Sequence, residues 1–113
     1  MALDVKQELG GYRRLMIIVT GSVLARPETI DDVTTQSLDH VHRSRQESGC
    51  LLHSVHRDVE NPLRLVFLEH WRDQESLRAH FNVDASRDFA HNLTALAAAP
   101  PEISVYDASL VKL

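Results

Sequence analysis

A chain of 113 residues, 43% apolar and 25% charged, suffices for one domain with its own core and needs no covalent staples. The formal net charge of −4 at pH 7 argues against nucleic acid or an anionic membrane surface as partner. A single cysteine, Cys50, excludes an internal disulfide and suits a reducing compartment.

The N-terminal stretch MALDVKQELGGYRR carries acidic residues and no apolar run of its own. It reads as a flexible arm over residues 1–13 rather than a signal peptide, with one domain over 14–113. No apolar run is long enough to span a bilayer, and the expected location is the cytoplasm. Residues 15–23 (LMIIVTGSV) are β-branched and apolar on both faces, the pattern of a buried strand. Pro27 suits a first helical turn, and Glu28, Asp31 and Asp32 complement the positive end of a helix dipole. Ile30, Val33, Ser37, Leu38 and Val41 recur at helical spacing, and Gly49 stands where a left-handed cap would close the helix. A helix over about 28–48 is expected.

Residues 50–58 (CLLHSVHRD) read as a second strand, and Glu60-Asn61-Pro62 as the turn into a third. That third strand, 63–71 (LRLVFLEHW), puts Leu63, Leu65, Phe67 and Trp71 on one face and Val66 and Leu68 on the other. Asp73 is placed to cap a helix through Phe81, and Asp84 a second helical piece through Phe89, Leu93 and Leu96. Pro100-Pro101 ends it, and 102–110 (EISVYDASL) supplies a last strand. The order is that of a ferredoxin-like split βαβ fold, α+β, with a four-stranded antiparallel sheet and helices on one face. Because the first and third strands are apolar on both faces, the open face needs a cover. A homodimer through the sheet face provides it.

The run Glu47-Ser48-Gly49-Cys50-Leu51, then Glu69-His70-Trp71-Arg72-Asp73, Leu77, His80 and Phe89, resembles the antibiotic biosynthesis monooxygenase (ABM) domain. That family's pattern is an E-x-G-C turn, a hairpin, an E-x-W strand end and a helix with A/S-L-x-x-H; the likeness covers about residues 14–110 of the sequence. It implies a dimeric α/β barrel with a pocket between sheet and helices in each subunit. Several members oxygenate polycyclic phenols, quinols or similar aromatics without metal, haem or flavin. Others degrade haem, and some act on other small molecules, so the fold alone does not set the chemistry. The resemblance thus implies a cofactor-independent monooxygenase taking an apolar aromatic, phenolic or quinol-like molecule and molecular oxygen. The alternatives are a non-catalytic dimeric small-molecule-binding module and a haem-degrading monooxygenase; haem-degrading relatives use an Asn on the first strand, where this chain has Thr20 and Ser22.

By the same resemblance the expected catalytic residues are Trp71, His80 and His91, with Phe67, Glu69, Phe81 and Phe89 binding substrate. Trp71 matches the family tryptophan whose indole N–H meets substrate in the aromatic oxygenases. Phe67 stands where those enzymes carry Asn and donates no hydrogen bond. His91 falls, by ungapped count, where they carry Arg. Read from the residues alone, Glu69 is a structural carboxylate in need of a partner, and Cys50 a small hydrophobe. Seven histidines raise the question of a metal. His40 and His42 diverge on a helix, and His53 and His56 face opposite sides of a strand, so no metal site is expected.

Overall fold

The computed structural model describes residues 15–113; the expected arm at 1–13 lies outside the described residues. The elements are β1 (Leu15–Leu24), α1 (Ile30–Ser44), β2 (Cys50–Asp58), β3 (Asn61–Trp71), α2 (Gln74–Asn82), α3 (Asp84–Leu96) and β4 (Glu102–Ser109). The strands form one antiparallel sheet in the order β2-β3-β1-β4, the split βαβ arrangement.

Strand parity decides what lies inside. Ile17, Val19 and Val23 of β1 and Leu65, Phe67, Glu69 and Trp71 of β3 are buried at alternate positions. The β1–β3 register sets Ile17 opposite Trp71 and Val19 opposite Glu69, so these side chains share one face. Helical residues complete two core clusters on that face. Val33, Val41 and Leu93 pack with Val23, Leu65 and Phe67, and Leu77 packs with Ile17, Val19 and Trp71, with Cys50 against its edge. On the opposite face Ile18, Val66 and Leu68 are half-buried. Edge strand β4 is the least covered: Ile103, Val105 and Tyr106 are all at least half exposed.

Several boundaries differ from the sequence reading. Helix α1 starts after a turn that contains Pro27, because the Thr29 hydroxyl there accepts the Arg26 N–H at 3.0 Å and Thr29 becomes the N-cap. The helix ends at Ser44 with Arg45 as its cap, so Gly49 does not close it. Gly49 instead adopts φ +82° at the entry to β2, where a Cβ would overlap the Ser76 side chain of α2. The hairpin turn is Val59-Glu60, held by the Glu60 N–H donating to Asp58 Oδ1 at 2.8 Å, and Pro62 belongs to β3. Asp73 caps α2 by accepting the Ser76 N–H at 2.8 Å. Asp84 is the first residue of α3 rather than its cap, a position taken by Val83. Among the described residues no helix is long and apolar enough to cross a membrane.

Candidate functional site

Three elements deliver polar side chains into the space between sheet and helices. On β3, Glu69 and Trp71 are two residues apart and share the inner face, so the Trp71 indole N–H donates to Glu69 Oε1 at 2.8 Å. The β2–β3 register sets His53 opposite Glu69. His53 Nε2 lies 3.4 Å from the same Oε1, with its side chain fully buried. The contact is not aligned as a hydrogen bond, and both ring nitrogens of His53 lack a partner. Burial pushes the Glu69 carboxyl up, but the neighbouring His53, the Trp71 N–H and the charge of His80 outweigh it and hold the group below its ordinary range.

On α1, Val33, Ser37, His40, Val41 and Ser44 form the buried stripe. Arg43 Nη2 lies 2.8 Å from His40 Nδ1. A guanidinium can only donate, so Nδ1 accepts and the proton of neutral His40 sits on Nε2. Burial, reinforced by the nearby charges of His53, His80 and Arg43, pushes the His40 pKa down to about 3. The ring also stacks on Phe89 with centroids 4.1 Å apart.

On α2, Leu77 and His80 point inward, three residues apart. His80 Nδ1 lies 2.7 Å from Glu47 Oε1, and Glu47 Oε2 accepts from Arg43 Nη1 at 2.8 Å. An ionised carboxylate offers no proton, so His80 carries one on Nδ1, and the neutral ring then has its lone pair on Nε2. The rings of His40, His53 and His80 converge, with centroids 5.2 to 5.5 Å apart.

Beside this cluster lies a cavity of about 240 Å³. Phe67, Phe81, Phe89, Leu93 and Ile103 make its apolar walls, and His40, His80 and Glu69 its polar end. Gly21 faces Phe67 across the β1–β3 register, and the missing side chain leaves part of this room. Such a space, mostly apolar with a few convergent polar groups, suits a compact aromatic molecule.

Of the residues singled out from sequence, Phe67, Glu69, His80, Phe81 and Phe89 all line the cavity. Trp71 does not. It is fully buried behind His80, centroids 4.7 Å apart, and its N–H is committed to Glu69 instead of facing a substrate. His91 is not brought to the cavity either. It is exposed on α3, while its neighbours Ala90 and Leu93 line the wall, since one helical step turns the side chain by about 100°. Glu47, Arg43, His40 and His53 received no role from sequence. For Glu47 the E-x-G-C motif was a signal; for the others nothing within one element marked them.

The family model for antibiotic biosynthesis monooxygenase matches residues 16–92, and the chain belongs to that family. Its relatives span several lineages. The uncharacterized Synechocystis protein sll1783 is 29% identical over 90 residues, which are 80% of this chain and 61% of that protein. The chain therefore spans about 61% of the length of this curated relative. Among solved structures, a conserved protein of Methanosarcina mazei Go1 is similar at TM-score 0.78 and 27% identity, covering 82% of this chain and 92% of that one. A structure named as an antibiotic biosynthesis monooxygenase is similar at TM-score 0.76 and 26% identity, covering 81% of this chain and 97% of that one.

The depressed His40 pKa carries a stability consequence. In the unfolded chain His40 titrates near its ordinary value of 6.5, so below that pH the unfolded state takes up a proton that the folded state refuses until about pH 3. Stability is thus fully present above pH 6.5 and falls with acidification. The expected loss is about 2 kcal/mol by pH 5. Urea unfolding of EDTA-treated protein at pH 7.5 and 5 measures it, and His40→Phe, which keeps a ring against Phe89, should flatten the dependence. Equal slopes for wild type and variant would contradict the assignment.

Proposed function

We propose that this protein is a small monooxygenase that works without a bound cofactor on a phenolic or quinol-type aromatic. The observation that carries the reading is the Glu47–His80 pair at the polar end of an apolar cavity. Glu47 holds the Nδ1 proton of His80 and leaves Nε2 as the acceptor, the arrangement a general base requires. A flat substrate would pack among Phe67, Phe81 and Phe89, with its hydroxyl toward His80. Nε2 takes the hydroxyl proton, and the Glu47 carboxylate, held in place by Arg43, stabilises the imidazolium that results.

The electron-rich anion then reduces molecular oxygen itself. For an anthrone-type substrate, the ring methylene carbon loses two hydrogens and gains one oxygen atom as a carbonyl. The second oxygen atom leaves as water with those two hydrogens, so no outside reductant is needed. Apolar walls keep water from the reactive carbanion. Phe67, where aromatic oxygenases of the family carry Asn, gives the ring a hydrophobic wall in place of a donor, so orientation falls to the histidine end.

We further propose that two copies pair through the sheet, covering Ile18, Val66 and Leu68 and, on β4, Tyr106, which sits opposite Ile18. Light scattering at micromolar concentration should give twice the chain mass; a stable monomer would contradict the pairing.

Activity is read as oxygen uptake with an anthrone or dihydroxynaphthalene by the colourless, EDTA-treated protein. His80→Gln and Glu47→Gln should each lower kcat/KM by about 10²- to 10⁴-fold, with folding checked by circular dichroism. His91→Ala, outside the cavity, should retain the wild-type rate. Tight ligand binding with no oxygen uptake would replace the oxygenase reading by that of a binding module.

A further inference from the structure

We propose that His40, His53 and His80 form a binding site for one divalent transition-metal ion at the inner end of the cavity. Each of the three buried imidazoles offers one ring nitrogen, and these nitrogens lie within 4.8 Å of one another. They come from α1, β2 and α2, so the fold and not a local motif assembles them. Neutral imidazole is a ligand suited to zinc, copper and nickel.

Two independent observations point to a ligand there. The first is His53. A fully buried side chain with neither ring nitrogen hydrogen-bonded is rare in a folded protein and costs about 1–3 kcal/mol if nothing satisfies it. A metal ion accepts the lone pair that no protein group takes. The second is the Glu47 carboxylate on His80 Nδ1, which is how metal-ligating histidines are held in the correct tautomer. A three-histidine zinc site has metal–nitrogen distances of about 2.0–2.1 Å and hence nitrogens roughly 3.3 Å apart. The rings would therefore close on the ion by an ångström or so. With three protein ligands the remaining position opens on the cavity, which His40 and His80 line.

One contact must change. Arg43 Nη2 now donates to His40 Nδ1, which puts the His40 proton on Nε2. Coordination through Nε2 moves that proton to Nδ1, and Arg43 then keeps its Nη1 bond to Glu47 and its Nη2 bond to Ser86. The site differs from the histidine pairs considered in the sequence because none of its members is near another along the chain.

This inference does not rest on the oxygenase reading, and it competes with that reading for one atom. A metal on His80 Nε2 removes the lone pair that would accept a phenol proton. The test therefore reads binding alone. EDTA-treated full-length protein is titrated with Co²⁺, following visible d–d absorption and the fluorescence of Trp71, the chain's one tryptophan, whose ring lies 4.7 Å from His80. Expected are one equivalent per chain, quenched emission, displacement by Zn²⁺ and a raised unfolding midpoint with Zn²⁺. His53→Phe, which preserves a ring, and His80→Gln should each abolish the signal. Glu47→Gln should weaken affinity by about 10- to 100-fold, and His56→Ala, exposed on β2, should leave it unchanged. No saturable binding at micromolar metal overturns the proposal, as does stoichiometric binding that survives both His53→Phe and His80→Gln. If His53→Phe fails to fold, His80→Gln and the wild-type midpoint shift decide alone.

Discussion

The hydrogen bond between Glu47 and His80 joins residues 33 positions apart and ties the segment after α1 to α2. A carboxylate this withdrawn from water must find its hydrogen bonds within the protein. It has two, from His80 Nδ1 and Arg43 Nη1. The same Arg43 reaches His40 and, at 3.3 Å, the Ser86 hydroxyl of α3. One anion thus fixes the Nδ1 proton of His80 and anchors the arginine that fixes the tautomer of His40, and the two draw three helices together. Removing the anion would take from Arg43 and His80 the acceptor they share and leave the His80 ring free to rotate. Gly49 serves the same geometry. Its positive φ turns the chain from Glu47 into β2 while Ser76 of α2 packs where a side chain would otherwise stand.

The sheet supplies the other half of the site. Alternate residues of β3 place Phe67 on the cavity, Glu69 at its polar end and Trp71 behind it. Trp71 shields and orients: its ring closes the back of His80, and its N–H keeps Glu69 occupied. The result is a largely apolar chamber with His40, His80 and Glu69 gathered at one end, where a single substrate atom can meet the histidines while its ring meets aromatic walls. The same inner end has a histidine, His53, whose needs the protein itself leaves unmet.

Much of this was legible in the chain. Period-two alternation in 63–71 and helical spacing from Val33 to Val41 carried the element order, and the order carried the fold. Alternation set Phe67 and Glu69 on one face of β3, and the family resemblance implied that this face borders a pocket. What spacing could not show is convergence between elements. No two of His40, His53 and His80 share a helix or strand, and only register and helix packing bring them together. The partner of Trp71 was accessible in principle, since residues two apart on a strand share a face. His91 shows the opposite limit: counting from Trp71 gives a position along the chain, and the turn of α3 decides which way it points. Helix ends shifted for local reasons: the turn at Pro27 delays the start of α1, which Thr29 caps, and Val83 takes the capping position expected of Asp84.

Everything chemical here depends on which nitrogen of His80 carries its proton. Long-range ¹H–¹⁵N correlation spectra of the EDTA-treated protein, assigned through His80→Gln, report that directly. The expected pattern is a protonated Nδ1 and an unprotonated Nε2 for His80, lost in Glu47→Gln. A His80 ring protonated on Nε2 and bare on Nδ1 would contradict the account, since Glu47 could not then hold it and the nitrogen left for chemistry would be the wrong one.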